Sequence, residues 1–174
     1  MVKPPPLLEA CRGRNTTLVK YLVEHGAEVN TENNGGETPL FEACRRKDTF
    51  TIKYLVDHGA EINKINNNKE TPLFESFLRR NGAIINYFME QGADIHKTNY
   101  DSETLLLDAC RKEDETATKY LVEHGVDINK ENRNGETAFF YVCIYKKDGR
   151  RILEYLLEHG VDINKENRSG LTPV

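Results

Sequence analysis

Five glycines, Gly26, Gly59, Gly92, Gly125 and Gly160, stand 33, 33, 33 and 35 residues apart. Each lies in a recurring block: HGAEVN at His25–Asn30, HGAEIN at His58–Asn63, QGADIH at Gln91–His96, and HGVDIN at both His124–Asn129 and His159–Asn164. A fixed period of this size marks a chain built by repeating one supersecondary unit, each copy burying its apolar face against the next, rather than a single closed globule. It also weighs against catalysis. An enzyme site needs a unique constellation, and most of this chain is written five times.

A second element recurs in phase. ETPL at Glu37–Leu40 returns as ETPL at Glu70–Leu73, ETLL at Glu103–Leu106, ETAF at Glu136–Phe139 and LTPV at Leu171–Val174. The TPLFEAC-type helix start, the KYLVEHG-type helix end and the NxxxGET-type connector together resemble the ankyrin repeat family, over essentially the whole chain. The resemblance implies an all-α fold: an α-solenoid of stacked helix-turn-helix repeats with projecting hairpin-like loops. It implies one domain over residues 1–174, with repeats near 3–32, 33–65, 66–98, 99–131 and 132–166, and the start of a sixth at 167–174.

Within the second repeat, Thr38 before Pro39 places a hydroxyl at the N-cap and proline at the first helical position, where its missing N–H costs nothing. The first helix then runs Pro39–Arg46, the chain turns at Lys47-Asp48, and a second helix runs from about Thr49 to His58. Thr51, Ile52, Leu55 and Val56 share its buried face. Gly59 terminates it in the left-handed conformation, with His58 placed to meet the last carbonyls. Lys64–Glu70 reads as a projecting loop. Tyr21, Tyr54, Tyr87, Tyr120 and Tyr155 occupy one site per repeat and read as rings stacked along an outer layer.

Cys11, Cys44, Cys110 and Cys143 fall at one position of their repeats, with Phe77 in the third. Equivalent helices in a stack lie roughly 8–10 Å apart, beyond the ~7 Å between Cα atoms that a disulfide spans. They read as small buried core residues in a reducing compartment. Neither the cysteines nor the histidines have the close spacing of metal ligands, so no metal and no cofactor is expected. His96 replaces the asparagine found at Asn30, Asn63, Asn129 and Asn164, a substitution without an evident role.

Two departures from the family pattern stand out. Phe41, Phe74, Leu107 and Phe140 fill the position of the family's loop-tying histidine, which points to apolar packing in its place. The inter-helix glycine is missing from Lys47-Asp48 and Glu113-Asp114, and the fifth repeat carries two extra residues in that turn, within Lys146–Arg151, which should protrude. Neither end has a clear polar capping repeat. A segment of a longer array is therefore expected, a monomer able to associate end to end.

No stretch of the sequence reaches 18 apolar residues, and the start MVKPPPLLEACRG has no signal-peptide core. The cytoplasm, or the nucleus, is the expected location. No GxSxG, HExxH, P-loop or paired CxxC occurs. The resemblance implies a non-catalytic module binding another protein on a concave surface of inner helices and loop tips. Glu42, Glu75 and Asp108, with Glu9, form one line there, and Arg46, Arg79 and Lys112 follow three of them by four residues, a spacing that reads first as i,i+4 salt bridges and also as an exposed ladder of alternating sign able to orient a partner. In repeat five the acid becomes Tyr141 and the base Tyr145, and Tyr100 stands in the preceding loop tip. Tyrosine favours interface anchoring. The competing reading is a phosphate or nucleic-acid site on a basic inter-helix edge, Arg12, Arg14, Arg45, Arg46, Arg79, Arg80, Arg111, Lys112, Lys146, Lys147, Arg150 and Arg151. The net charge of −4 weighs against it. A third possibility is an interaction segment of a larger enzyme or effector.

Overall fold

The computed structural model describes residues 4–145 and 149–173, and among these it contains ten helices and no strand. The chain forms two compact units, Met1–Asp94 and Ile95–Val174. The first holds three helix pairs: α1 (Pro6–Arg12) with α2 (Thr16–Glu24), α3 (Pro39–Arg45) with α4 (Thr49–Asp57), and α5 (Pro72–Leu78) with α6 (Gly82–Glu90). The second holds α7 (Leu105–Arg111) with α8 (Glu115–Glu123) and α9 (Ala138–Tyr145) with α10 (Arg150–Glu158). Within the first unit the inner helices stack as α1 on α3 on α5, and within the second α7 packs on α9. This is the all-α helix-turn-helix repeat that the resemblance implies.

Local chemistry sets the ends of each helix. The hydroxyls of Thr71, Thr104 and Thr137 accept from the amides of Phe74, Leu107 and Phe140, the N-cap bond that satisfies one orphan donor of the first turn. Thr38 stands at the same place, but its buried hydroxyl makes no cap bond, contrary to the expectation. The second helices are capped by Asn15, Asp48 and Asp114, each accepting from the amide three residues on. Gly59 closes α4 at φ 88°, and its counterparts in the other repeats lie between 78° and 84°. The turn between the paired helices also needs a left-handed residue. Arg14, Lys47, Arg80 and Glu113 supply it at φ 53–55°, a conformation that costs a residue with a Cβ roughly 1–2 kcal/mol.

Core packing follows the sequence period. Leu7, Leu40, Phe41, Leu73, Phe74, Ile52, Leu55 and Phe88 are buried in the first unit, and Leu106, Leu107, Phe139, Phe140, Leu121 and Leu156 in the second. Each such side chain contributes about 1.5–3 kcal/mol. The apolar residues standing for the family's loop histidine are thus core. The loops are fixed instead by asparagines: Asn33, Asn66, Asn99, Asn132 and Asn167 each accept two backbone amides of their own loop on Oδ1. Successive tips are joined by Asn67 N–H to Gly35 C=O in the first unit, and by Arg133 to Asp101 and Arg168 to Asn134 in the second.

All four cysteines are free. Burial pushes the thiols of Cys11, Cys44 and Cys110 up to about 12, which keeps them protonated and inert. Cys143 is only half-buried, a correction to the expectation that all four are core residues. The predicted protrusion at Lys146–Arg151 lies in part outside the described residues, as do Lys146 and Lys147.

Candidate surface for a partner on the inner helices

The inner helices are barely two turns long, so an acid in their first turn lies beside the neighbouring inner helix. Glu42 and Glu75 are 1% and 4% exposed, and Asp108 is 1% exposed. The expected exposed ladder is therefore corrected: the acid line is buried except at its first member, Glu9, which is exposed. A buried carboxylate must be paired, and here the cations come mainly from the residue three further on and from the preceding repeat. Arg12 Nη2 donates to Glu42 at 2.8 Å. Arg45 pairs with Glu42 at 3.2 Å, reaches Glu75 of the next repeat at 3.4 Å, and donates to Glu37. Arg79 Nε donates to the same oxygen, Glu75 Oε1, at 2.8 Å. Arg46, the partner expected for Glu42, is exposed while Arg45 and Arg12 occupy its place. Burial raises the Glu37 carboxyl, yet the Arg45 hydrogen bond, Asn33 and the charges of Arg45 and Arg12 together hold it below the usual glutamate range.

In the second unit Asp108 is held by Arg111 and, at 2.8 Å, by Lys112. Arg111 also meets Glu103 at 3.3 Å. Where Arg45 faces a third carboxylate on the following inner helix, the residue equivalent to Glu75 is Tyr141. The residue equivalent to Arg45 itself is Ile144. Both charges of the network are thus replaced on α9 by apolar or aromatic groups, beside Tyr145.

That substitution leaves a patch. Tyr145 is 54% exposed and Ile144 49% exposed, and Tyr141 is half-buried beneath them. The rings of Tyr141 and Tyr145 meet at 4.7 Å between centroids, tilted by 49°. Tyr145 is fixed by its hydroxyl donating to Glu136 Oε1 at 3.1 Å, and Glu136 in turn receives Asn132 Nδ2. At the loop tip Tyr100 is 54% exposed with the Arg133 guanidinium 4.0 Å over its ring, a cation–π contact. These rings are held in place yet open to solvent. The α9 patch was foreseen only as tyrosines; Ile144 was missed, although with Leu78 it is one of two apolar residues in the in-phase series Arg12, Arg45, Leu78, Arg111, Ile144.

The outer tyrosines do something else. They do not stack on one another, as the sequence reading had it. Tyr21, Tyr54, Tyr120 and Tyr155 each stack on the histidine four residues later, at 3.9–4.1 Å. Those histidines bond through Nδ1 to the tyrosine carbonyl at 2.7–2.8 Å. A carbonyl only accepts, so Nδ1 carries the proton. Between repeats the link is a lysine over the next ring: Lys20 to Tyr54, Lys53 to Tyr87 and Lys119 to Tyr155 at 5.1–5.9 Å. The recurring Lys-Tyr dipeptide was the available signal.

Much of the proposed basic edge is neutralised locally, since Arg12, Arg45, Arg79, Arg111 and Lys112 pair with the buried acids, and Arg150 and Arg151 reach Glu154 and Glu115. Among the described residues no group of three or more His, Cys, Asp or Glu is placed to hold a metal ion, and no helix is long and apolar enough to cross a membrane. The family model for ankyrin repeats, in three copies, matches residues 7–99 and again 78–167. Compared with curated proteins, the chain matches none.

Proposed function

Because the chain belongs to the ankyrin repeat family, whose members are typically non-catalytic interaction modules, we propose that it is a single repeat domain without catalytic activity that binds another protein. The contact surface is the inner-helix and loop-tip side of the second unit, anchored by Tyr141 and Tyr145 with Tyr100. The observation that carries this reading is the replacement on α9 of a buried ion-pair position by Tyr141 and Ile144, next to a Tyr145 that is 54% exposed and held by Glu136. Large, pre-ordered aromatic rings lose little rotamer freedom on binding, which is why they dominate interface energetics. In the second unit Lys112, held by Asp108, joins this surface; on the inner helices of the first unit Arg46 and Arg79 are contact residues of their own, Arg79 held by Glu75, while Glu42 holds Arg12 and Arg45. Free, high-pKa cysteines fit a reducing compartment, the cytoplasm or nucleus.

The test is affinity capture from a cell extract with the wild-type chain and with a folded Tyr141→Ala/Tyr145→Ala variant. A protein retained by the first and lost by the second is the expected result. Capture of the same proteins at equal yield by both excludes this surface.

A further inference from the structure

In the first unit the arginine of one repeat twice reaches the acid of the next. Arg12 meets Glu42 and Arg45 meets Glu75. Arg45 thereby faces three carboxylates, Glu37, Glu42 and Glu75. Arg111 occupies the same position on α7 and α7 packs on α9, yet among the described residues its carboxylates are Glu103 and Asp108, and the position equivalent to Glu75 on the following helix is Tyr141. Arg111 is 39% exposed at its side chain, so a carboxylate arriving from solvent can reach it. Its immediate neighbours are charged, Glu103 and Asp108 with Lys112 beside it, and the α9 helix that packs on α7 carries Tyr141 and the exposed Ile144 and Tyr145.

We infer that the partner bound here is an acidic peptide segment, one Asp or Glu of which completes the ion pair of Arg111 while an adjacent apolar residue packs on Tyr141, Ile144 and Tyr145. The inference rests on the reading of the tyrosine patch as the contact surface and adds the chemistry of what it contacts. A guanidinium offers five N–H donors in a plane and takes a further carboxylate readily. The same chain shows the completed arrangement at Arg45, so the partner supplies from outside what Glu75 supplies from within.

The experiment is selection of displayed random dodecapeptides on the full chain, followed by affinity measurement on wild type, Tyr141→Ala, Tyr141→Glu and Arg111→Gln. Peptides whose binding depends on Tyr141 should be enriched in Asp or Glu next to an apolar residue. Loss of a charge-assisted hydrogen bond should weaken them about tenfold on Arg111→Gln. Tyr141→Glu restores the internal acid and should repel such peptides at least as strongly while unfolding at the same or a higher urea concentration, so it stays informative if Arg111→Gln leaves Asp108 underpaired and unfolds. Tyr141-dependent peptides with no acidic enrichment, or bound equally by Tyr141→Glu, overturn the inference and leave the contact surface standing. Recovery of no Tyr141-dependent peptide overturns the surface and the inference with it. An Arg111-dependent affinity for a single-stranded oligonucleotide above that for every selected peptide also overturns it, in favour of a phosphate ligand.

Discussion

The first unit and the fifth repeat use the same helix positions for different ends. In the first unit, Arg12, Glu42, Arg45, Glu75 and Arg79 form a continuous run of ion pairs in which the acids are almost wholly buried. In the fifth repeat those positions hold Tyr141, Ile144 and Tyr145, two of them about half exposed. A repeat array needs its inter-repeat contacts to fold, because one helix pair cannot bury its own apolar face. A position released from that duty can take a side chain chosen for contact with something else. The difference shows where recognition can sit in a chain that is otherwise copied from repeat to repeat.

The sharpest way to break this contrast is at Arg45. Its loss leaves Glu42 and Glu75 each with one fewer cation in a buried setting, and the expected destabilisation is about 3 kcal/mol for Arg45→Ala, reduced from the full effect because Arg12 and Arg79 remain. Arg46→Ala, one residue away and exposed, should stay within about 0.5 kcal/mol. Urea unfolding followed by circular dichroism measures both. Equal midpoints for the two variants would mean that the buried network does not stabilise the first unit.

A somewhat smaller effect separates two kinds of glycine in the second unit. Gly125 has φ 78° and open space where a Cβ would project, so Gly125→Ala costs only backbone strain, about 1 kcal/mol. Gly135 has φ 76° and its Cβ would lie 2.9 Å from the amide nitrogen of Arg168 in the next loop tip. Gly135→Ala must separate the joined tips as well, and should cost at least about 2 kcal/mol. Thermal melts of the two variants decide whether the loop tips are coupled as strongly as the helices.

The helix pairs, their glycine terminators and the histidine contacts to the last carbonyls could be read from the sequence because each depends on residues within one turn of each other. The pairs Glu75–Arg79 and Asp108–Lys112 were legible as i,i+4 contacts, but the burial of the acid line was not. Glu42 followed by Arg46 fits an exposed i,i+4 pair, and only the stacking of α3 between α1 and α5 makes Glu42 a buried group whose cations are Arg45 and Arg12. The lysine over each outer ring escaped for the same reason, since it comes from the preceding repeat, whereas the Tyr-His contact lies within one helix turn and was legible in principle. Tyr141 and Tyr145 were legible because they interrupt a series, and Ile144 belonged to a series that had not been followed.

Acid provides a milder test of the network than deletion. The Glu37 carboxyl is held below its unfolded value, near 4.3, by groups that outweigh burial, Arg45 foremost among them. A depressed carboxylate pKa adds stability that is fully present above the unfolded value and is lost as pH falls through the folded one. Unfolding midpoints of wild type should therefore fall below about pH 4.3 more steeply than those of Glu37→Gln. Parallel profiles would remove Glu37 from the network.

The smallest stability change is expected where the functional change is largest. Tyr141 and Tyr145 stand outside the ion-pair network, and Tyr145 is exposed, so Tyr145→Ala should alter stability by no more than about 0.5 kcal/mol. Its one internal bond, to Glu136, leaves that carboxylate still bonded to Asn132. Tyr54 is the control from the other region, stacked on His58 at 4.1 Å with Lys20 over its ring and its hydroxyl buried. Tyr54→Ala removes contacts within and between repeats and should destabilise by about 1–3 kcal/mol. With a captured partner, Tyr145→Ala should weaken binding by at least about 1 kcal/mol, and Tyr54→Ala should leave the affinity of the folded fraction unchanged. If Tyr54→Ala reduces that affinity and Tyr145→Ala does not, binding belongs to the outer helices, and the substitutions on α9 have another cause.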